Sequence, residues 1–359
     1  MTAKTFIAIV LGAIAATTSP AATDTSRVNK PGEAVPQHFT IGGKTGDPVD
    51  HLPPNIRMIS EFGERPVFSP DGRKIAFIGK SYGDAFEYVI ATGEIRNLTA
   101  HMAHQGFLRI HYMRDGSYIL TGPHVPAATR EETRFAKSEL WWMAAAANRP
   151  AVRLGVTLFE GVAVSRTSNH IAWAENDPAG MPTRADAPGT SKLKVGEVVV
   201  ANGTARLANV REIAQSPFSS CMLEAQDFLP EDHSVTGTCY SLKTQSTILS
   251  VALADGAITR YPMPANLYNE VEGIFPDGKR TLVECSHDNT AGLEMCLLEL
   301  KADRPRYTRL TRAMDYGNYR WSNPQVSGDG KYVAFQTARG SDEAGVGRGI
   351  LLMTLPDGF

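Results

Sequence analysis

The chain has 359 residues and an almost balanced charge, with 36 Lys and Arg against 38 Asp and Glu and a formal net charge of −2 at pH 7. This balance argues against nucleic acid or an anionic membrane surface as the main partner. Hydrophobic residues make up 42% of the chain, which is ordinary for a globular protein with a buried core. The length exceeds that of a typical single domain, so the order of the elements decides whether the chain forms one unit.

The first 22 residues have the pattern of an export signal. Lys4 provides a positive start, residues 6–16 form an apolar segment too short to cross a bilayer, and residues 19–22 supply small side chains for cleavage. We expect cleavage after Ala21 or Ala22, no membrane anchor, and a mature protein that is exported to the periplasm or the extracellular space. Residues 23–54 are rich in Pro, Gly, Thr and Asp and predict an extended arm before a domain at residues 55–359.

A strand–turn–strand pattern recurs along the rest of the chain. In its first copy, residues 65–78, short apolar strands flank the turn residues Pro70, Asp71 and Gly72. Similar turns centre on positions 115, 168, 232, 277 and 329, in steps of 44 to 64 residues. Such a period with variable insertions is typical of four-stranded propeller blades. Six copies predict six blades; because the third copy is degenerate, five and seven blades are the alternatives.

The turn sequence Phe-Ser-Pro-Asp-Gly at residues 68–72 resembles the WD40-like Pro-Asp repeat of the TolB-like β-propeller proteins. The resemblance covers about residues 56–355 and implies an all-β, six-bladed propeller of four-stranded antiparallel blades. Residues 269–278, 318–324 and 342–347 further resemble an exported subgroup of that family whose activity is not established. The repeat is specific for the fold and says little about chemistry.

The residues before the first repeat predict how the ring closes. We name the strands of a blade a to d, from the axis outward. Residues 56–60 resemble the outer strands predicted at residues 95–99 and 307–311, while the last repeat stops at Leu355 with three strands. Residues 56–60 are therefore predicted to supply the outer strand of blade six.

This strand order also predicts where a site would lie. The d–a connections and the b–c loops share one face, beside one mouth of the central channel. The b–c loops are predicted to be long, at residues 122–137, 175–194, 286–292 and 338–347. Because long loops on a rigid scaffold usually carry function, we expect the site at that mouth.

The four cysteines fit an oxidising compartment. Cys285 and Cys296 stand symmetrically about an expected hairpin turn, so they are predicted to face each other and to be bridged. Cys221 and Cys239 flank the fourth repeat turn and are predicted to form a second disulfide. The alternative is four buried thiols, and the absence of a Cys-x-x-Cys pair argues against metal binding by them.

A histidine-rich connection leads into the second repeat. His101 and His104 lie in the predicted loop with Gln105, and Arg109 and His111 share one face of the next strand. Neutral imidazoles bind metals or act as bases, so these histidines are candidates for both roles. The alternative is that they are exposed or only hydrogen-bond within the fold. The TolB-like oligogalacturonate lyases hold a metal with several His and a Gln, but their carboxy-terminal His motifs are missing here, so that resemblance assigns no residue.

An acidic pair opens the fifth repeat. Asn269, Glu270 and Glu272 begin a predicted inner strand, and Glu270 and Glu272 point to one side because strand residues alternate. Like charges so placed raise one pKa, which suits a general acid, or they bind a cation. The alternative is two solvated carboxylates in the funnel.

Aromatic and polar residues cluster in two predicted loops of the sixth repeat. Tyr319, Arg320 and Asn323 belong to the loop that enters it, and Asp342 and Glu343 belong to its b–c loop. Aromatic rings stack on sugar rings and amides bond hydroxyls, so the set predicts a ligand site. The alternative is turn residues and packing that close the last blade.

Two functions are consistent with these patterns. The first is an exported, monomeric binding protein that holds a glycan, a small polar ligand or a protein segment at the funnel mouth, where Arg109 and Arg320 would grip a carboxylate. The second is a carbohydrate-active lyase or hydrolase on a sugar or uronide, whose catalytic candidates are His104, His111, Glu270 and Glu272. A divalent cation such as Ca²⁺ or Mn²⁺ is a candidate cofactor, with His101, His104, His111, Glu270 and Glu272 as candidate ligands.

The missing enzyme motifs favour the first function. The chain has no Gly-x-Ser-x-Gly elbow, no His-Glu-x-x-His and no Walker loop. The fold hosts both binding proteins and enzymes, so whether the chain is an enzyme stays open at this point. The predicted site is the mouth around His104, Glu270, Tyr319 and Asp342.

Overall fold

The computed structural model describes residues 41–176, 191–215, 221–242, 245–261, 267–287, 291–301 and 306–359. The predicted signal segment at residues 1–22 and residues 23–40 of the predicted arm lie outside this part of the chain. So do residues 177–190, the middle of the b–c loop predicted in the third repeat. Within the described residues, no helix is both long enough and apolar enough to span a membrane.

The described chain folds into a six-bladed β-propeller of four-stranded antiparallel sheets, which confirms the predicted fold class and excludes five or seven blades. After β1 (Ile56–Ser60), blade 1 contains β2 (Glu64–Phe68), β3 (Lys74–Ile78), β4 (Ala85–Val89) and β5 (Ile95–Asn97). Blade 2 contains β6 (Arg109–Tyr112), β7 (Tyr118–Gly122), β8 (Glu139–Met143) and β9 (Val152–Thr157). Blade 3 contains β10 (Val162–Val164), β11 (His170–Asn176), β12 (Ser191–Ala201) and β13 (Thr204–Gln215).

The remaining blades repeat this order. Blade 4 contains β14 (Met222–Phe228), β15 (Ser234–Leu242), β16 (Gln245–Ala252) and β17 (Ile258–Tyr261). Blade 5 contains β18 (Leu267–Ile274), β19 (Arg280–His287), β20 (Glu294–Glu299) and β21 (Tyr307–Arg309), and blade 6 contains β22 (Tyr319–Val326), β23 (Tyr332–Arg339) and β24 (Ile350–Thr354) with β1. Short helical segments lie in the connections: Pro48–His51, Arg130–Glu132, Thr133–Lys137, Pro230–Asp232 and Ala313–Tyr316.

The Ser-Pro-Asp-Gly turn forms because its side chains bond their own backbone. In the first copy, Ser69 Oγ donates to Asp71 Oδ1 at 2.6 Å, and the same oxygen accepts from the Arg73 amide at 3.1 Å. Gly72 has a φ of 69°, a value that favours glycine. The sixth copy repeats the arrangement with Ser327 and Asp329 at 2.6 Å. The turn therefore fixes the register of strands a and b in each blade.

The degenerate third turn uses a carboxylate from the neighbouring blade. Ser165 and Ser168 each donate to Asp232, at 2.6 and 2.5 Å, and Asp232 belongs to the fourth turn. His170 Nδ1 lies 3.1 Å from the same carboxylate. One aspartate thus serves two turns, which explains why the third copy tolerates the loss of its own.

The ends of the propeller meet in blade 6, as predicted. β1 pairs antiparallel with β24, so that Ile56 lies opposite Met353 and Met58 opposite Leu351. Ile56 and Ile59 are only 6% and 9% exposed. The first strand of the propeller therefore closes the sheet that contains the last one.

The part of the predicted arm that is described packs on the propeller. The Gly42 amide donates to the Met314 carbonyl at 2.9 Å, and the Lys44 amide donates to the Asp315 carbonyl at 3.0 Å. Pro48 is buried. Residues 41–54 therefore follow the connection between blades 5 and 6.

Two predicted b–c loops are shorter than expected. β11 continues to Asn176 and β12 begins at Ser191, so both ends of the loop predicted at residues 175–194 are strand. β19 likewise continues to His287. The extra residues are held by ladder pairing, of Asn176 with Ser191 and of His287 with Leu267, a constraint that loop composition does not reveal.

Both predicted disulfides are present. Cys221 pairs with Cys239, and Cys285 pairs with Cys296. The expectation that Cys285 and Cys296 face each other directly was wrong: in the ladder Cys285 lies opposite Glu294 and Cys296 opposite Val283. The bridge is therefore diagonal, because the strands are shifted by two residues from a symmetric hairpin.

Candidate functional site

A cavity of about 200 Å³ opens at the mouth formed by the d–a connections and b–c loops. This is the mouth at which the sequence predicts a site. The lining comes from five of the six blades and is mostly polar: Arg65, Arg109, Arg134, Glu160, Tyr268, Glu270, Glu284, Ser286, Ala291, Leu293, Arg320, Ser322, Asn323, Ala344, Gly345 and Val346.

Three glutamates lie together at the inner end of this cavity. Glu270 on β18 and Glu284 on β19 are directly opposite each other in the ladder, and Glu272 is two residues further along β18. Carboxylate oxygens of all three lie within 4.8 Å of one another. Their exposed fractions are 8%, 4% and 1% for Glu270, Glu284 and Glu272. The prediction that Glu270 and Glu272 point to one side is confirmed, and Glu284 joins them.

The three carboxylates differ in their hydrogen bonds. Glu270 accepts from Gln226 Nε2 at 2.9 Å and from the Tyr268 hydroxyl. Glu284 Oε1 accepts from the backbone amide of Asn323 at 2.6 Å. Within the described part of the chain, Glu272 Oε1 is buried without a hydrogen-bond partner. The innermost carboxylate is therefore the least satisfied.

Guanidinium groups surround this acidic group without reaching all of it. Arg109 donates to Glu224 Oε1 at 2.8 Å and lies 3.9 Å from Glu160. Glu160 in turn accepts from Arg134 Nε at 2.6 Å and from Arg65 at 3.2 Å. The arginines thus stabilise the charge of Glu160, whereas burial, Glu160 and Glu270 raise the pKa of Glu224 well above its ordinary value despite Arg109.

The electrostatic environment separates the pKa values of these acids. Burial, together with the charge of Glu270, raises the pKa of Glu284 to about 8 and that of Glu272 well above its ordinary range. Burial alone would also raise the pKa of Glu160, but Arg134 and Arg65 hold it at about 2. Near neutral pH the cavity therefore contains both ionised and protonated carboxyl groups.

We expect the free energy of unfolding to fall as the pH rises from about 5 to about 9 in a chelating buffer. The raised pKa of Glu284 means that the folded state keeps a proton that the unfolded chain releases near its ordinary pKa of 4.5. This contribution is fully present below pH 4.5 and is lost as the pH passes about 8. Urea unfolding across this range measures it, and Glu284→Gln should flatten much of the decline.

Glu160 does not oppose this trend. Its lowered pKa contributes stability that is present above pH 4.5 and is lost only as the pH falls toward about 2. The same slope between pH 5 and 9 in Glu284→Gln and the wild type would contradict the assignment.

Two b–c loops cover the cavity. Arg65 donates to the Gly345 carbonyl at 2.8 Å, and the Gly347 amide donates to Glu64 at 3.0 Å, so the blade 6 loop is tied to blade 1. Glu343 of the same loop pairs with Arg130, which lies in the blade 2 loop. The cavity is therefore roofed by chain from blades 2 and 6.

Three non-glycine residues of the lining have a left-handed backbone. Arg65, Glu160 and Asn323 have φ values of 54°, 45° and 49°. Each such residue costs on the order of 1–3 kcal/mol and is found mainly where surrounding structure holds it for a function. They are three of the nine such residues in the described part of the chain, and all three lie at or just before an inner strand.

The predicted histidines lie outside the cavity. His104 Nε2 bonds Asp84 at 2.9 Å, and its Nδ1 accepts from the Gly106 amide at 2.9 Å, so both nitrogens hold the junction of blades 1 and 2. His101 and Gln105 are exposed on the same connection. His111 lines a second cavity of about 310 Å³ at the opposite mouth. Burial and Arg109 lower the pKa of His111 to about 3, so its ring is neutral.

The other predicted residues divide between the cavity and its supports. Asn323 lines the cavity and Arg109 Nη1 reaches its Oδ1 at 3.5 Å. Asn269 is buried between strands and accepts from the Tyr307 hydroxyl at 2.6 Å. Tyr319 alternates with Arg320 and packs against the core of blade 6. These positions follow from strand alternation, which sends neighbouring side chains to opposite faces.

The expectation that Arg109 and Arg320 grip a ligand carboxylate does not fit their bonds. Arg109 is held by Glu224, and Arg320 donates to the Ala291, Asp342 and Gly340 carbonyls at 2.7, 3.0 and 3.0 Å. Asp342 itself pairs with Arg348 at 2.7 Å inside the loop. Both arginines therefore shape the cavity and its roof.

Several lining residues were missed from the sequence. Glu284, Glu160 and Arg65 lie in or beside strands whose apolar residues indicate a core strand and give no sign of a site. Arg134 lies in a predicted loop. Like charges directly opposite in a ladder are unfavourable, so the Glu270–Glu284 pair was detectable once the register was known.

No protein-family model matches the chain, and no curated protein sequence matches it. A putative TolB from Agrobacterium tumefaciens superposes with a TM-score of 0.52 at 10% identity, over 82% of this chain and 91% of that one. The chain has the fold of the TolB-like propellers. A puromycin hydrolase superposes with a TM-score of 0.50 at 15% identity, over 80% of this chain but only 44% of that one. An oligogalacturonate lyase in complex with manganese gives 0.47 at 14% identity, over 82% of this chain and 78% of that one.

Proposed function

We propose that this chain is a binding protein for a small polar ligand, of the size of one sugar ring, held in the roofed cavity of the TolB-like propeller. The observation that supports the proposal is a roofed cavity of charged and polar side chains whose lining includes three residues with a left-handed backbone, Arg65, Glu160 and Asn323. A water-filled channel gives no reason to hold such backbone conformations, whereas a preorganised binding site does.

The size and chemistry of the cavity restrict the class of ligand that it can hold. A volume of about 200 Å³ is below the range of about 300–1,000 Å³ that is usual for drug-sized ligands. A hydroxyl-rich molecule would find donors and acceptors in the side chains of Ser322, Asn323 and Glu284. The roof formed by the blade 6 loop leaves little room for a protein segment. Among the predicted partners, a glycan-derived ring therefore fits better than a polypeptide.

A binding screen tests the proposal. The purified mature protein is titrated calorimetrically with neutral monosaccharides, uronic acids and amino acids, and at least one class should bind. Ala344 is exposed and lines the cavity, so Ala344→Trp should obstruct it without disturbing the core and weaken binding at least about tenfold.

The matched control is a substitution that narrows the opposite cavity. Gly328 lines that cavity, and a Cβ added there would meet only the Pro70 carbonyl at 3.7 Å, which is an ordinary contact. Gly328→Val should therefore leave the affinity unchanged. Binding that survives Ala344→Trp, or the absence of binding by every class, would overturn the proposal.

A second candidate function is carbohydrate-active catalysis. Glu284 lines the cavity with a pKa of about 8, so it is protonated at neutral pH, and it lies beside Glu270. A protonated acid next to a second carboxyl group is the pairing that glycoside cleavage uses. The same screen read for turnover tests it: product formation that is lost in Glu284→Gln supports catalysis, and ligand recovered intact supports binding alone.

Export of the mature chain belongs to the same proposal. The two disulfides fit an oxidising compartment, and the first 22 residues have the composition of a signal peptide. Mass analysis of the protein recovered from the periplasm of an expressing bacterium should give an amino terminus at residue 22 or 23. An intact amino terminus in the cytoplasm would contradict it.

A further inference from the structure

We propose that Glu270, Glu272 and Glu284 form a binding site for one divalent cation of the oxygen-preferring class, with Ca²⁺ as the best fit, at the inner end of the cavity. The inference goes beyond ligand binding and stands on the geometry of the carboxylates. Its test uses the cation alone and does not depend on any organic ligand.

The spacing of the carboxylates suits such an ion. One oxygen from each of the three side chains lies within 4.8 Å of the other two. Ca²⁺ binds oxygen at about 2.3–2.6 Å, so two ligands on opposite sides of it are about 4.6–5.2 Å apart. Mg²⁺ holds its ligands at about 2.0–2.1 Å and requires a tighter octahedron. Oxygens no more than 4.8 Å apart fit around Ca²⁺, and a group of protein carboxylates suits it better than Mg²⁺, which usually keeps several water ligands.

Glu272 supplies an independent observation that points to a missing ligand. Its side chain is 1% exposed, and its Oε1 has no hydrogen-bond partner within the described residues. A buried polar atom without a partner destabilises the fold, and more so when it is charged. Glu270 lies on the cavity side of it on β18, and Ile274 further along lines the opposite cavity. The Glu272 carboxylate is thus directed toward those of Glu270 and Glu284, since one of its oxygens lies within 4.8 Å of theirs.

The charges around the cavity leave room for one divalent ion. Among the described residues that line it or lie against its lining, six carboxylates face four guanidinium groups: Glu64, Glu160, Glu224, Glu270, Glu272 and Glu284 against Arg65, Arg109, Arg134 and Arg320. When all are ionised the group carries two excess negative charges. Buried charges are stable only when they are paired or coordinate a metal. One divalent cation balances the group.

Protons are the competing partners, and they give the test a signature. A carboxyl group binds a cation in its ionised form, so protons compete with the cation at Glu270, Glu272 and Glu284. Binding should therefore release protons and strengthen as the pH rises.

The experiment titrates Ca²⁺, Mn²⁺ and Mg²⁺ separately into the chelator-treated mature protein. Calorimetry in two buffers of different ionisation enthalpy gives the stoichiometry and the proton release, and thermal unfolding gives the stabilisation. We expect one Ca²⁺ per chain, a rise in melting temperature, and at least tenfold weaker binding of Mg²⁺. Mn²⁺ should bind as well, since it also prefers carboxylate ligands.

Two variants and a control locate the site. Glu272→Gln and Glu284→Gln should each weaken Ca²⁺ binding at least tenfold, while Glu197→Gln, a half-exposed acid on blade 3, should not change it. Without cation, Glu272→Gln should melt no lower than the wild type, because the buried Oε1 that it alters has no hydrogen bond to lose. This measurement separates lost coordination from lost folding. No Ca²⁺ binding by the wild type at millimolar concentration, or full binding by both variants, overturns the proposal.

Discussion

A chain that begins at Phe62, and so lacks β1, is expected to unfold at a much lower temperature than the full chain. Ile56 and Ile59 are 6% and 9% exposed, and burying each contributes about 1.5–3 kcal/mol. The two side chains alone therefore account for about 3–6 kcal/mol, a large part of the 5–15 kcal/mol typical of folded proteins. The ladder bonds to β24 are lost in addition. Thermal and urea unfolding measure the loss.

The exposed edge of β24 gives this prediction a second readout. Leu351 and Met353 of β24 are now buried opposite β1. Without β1 they would lie on an unpaired edge strand, and such strands pair with other chains. Sedimentation should show self-association of the shortened chain. The matched control begins at Ile41, which removes residues before the described structure but keeps β1. Equal melting of the two shortened chains would rule out closure by β1 as the source of stability.

Arg109→Met is expected to destabilise the protein by about 3–5 kcal/mol, the usual cost of leaving the partner of a buried ion pair uncompensated. Arg109 is 6% exposed, donates to Glu224 at 2.8 Å and lies 3.9 Å from Glu160. Its loss leaves the glutamates of the cavity with one positive charge fewer. The loss should be larger at about pH 8 than at about pH 5, because protonation relieves the repulsion at the lower pH.

The control for Arg109 is an ion pair whose arginine is exposed. Arg153 donates to Glu139 at 2.8 and 3.1 Å, but its side chain is 47% exposed. Solvent screens this guanidinium and Glu139 keeps His124 as a second partner, so Arg153→Met should change stability by about 1 kcal/mol. Urea unfolding of both variants at the two pH values decides the matter. A loss at Arg109 as small as that at Arg153 would show that the cavity charges are screened by water.

The fold could be predicted from the sequence because local chemistry repeats six times. Most turns carry their own hydrogen-bonding residues, as Ser69 and Asp71 show, so the repeat was enough to count the blades. The closing strand was predictable because residues 56–60 repeat an outer-strand pattern where a strand was otherwise missing. Even the degenerate third copy kept its length, since Asp232 substitutes for the carboxylate it lacks.

The candidate site was only partly predictable because it depends on register and on contacts between blades. The sequence places Glu270 and Glu272 on one side of a strand, but only the ladder brings Glu284 opposite Glu270. The histidines at positions 101, 104 and 111 were predicted to be functional from their residue type alone. In the structure His104 bonds Asp84, a partner from the preceding blade that no spacing rule reveals.

The pairing of β1 with β24 also dictates an order of events during synthesis. β1 emerges from the ribosome first, yet its partner lies near the other end of the chain. Blades 1 to 5 contain only sequential strands and can form as they appear, whereas blade 6 must wait for β24. Contacts between such distant segments form slowly, because a long loop must first be closed. Until then the ring is open, and an edge of β24 and the apolar face of β1 are available to chaperones and to other copies of the chain.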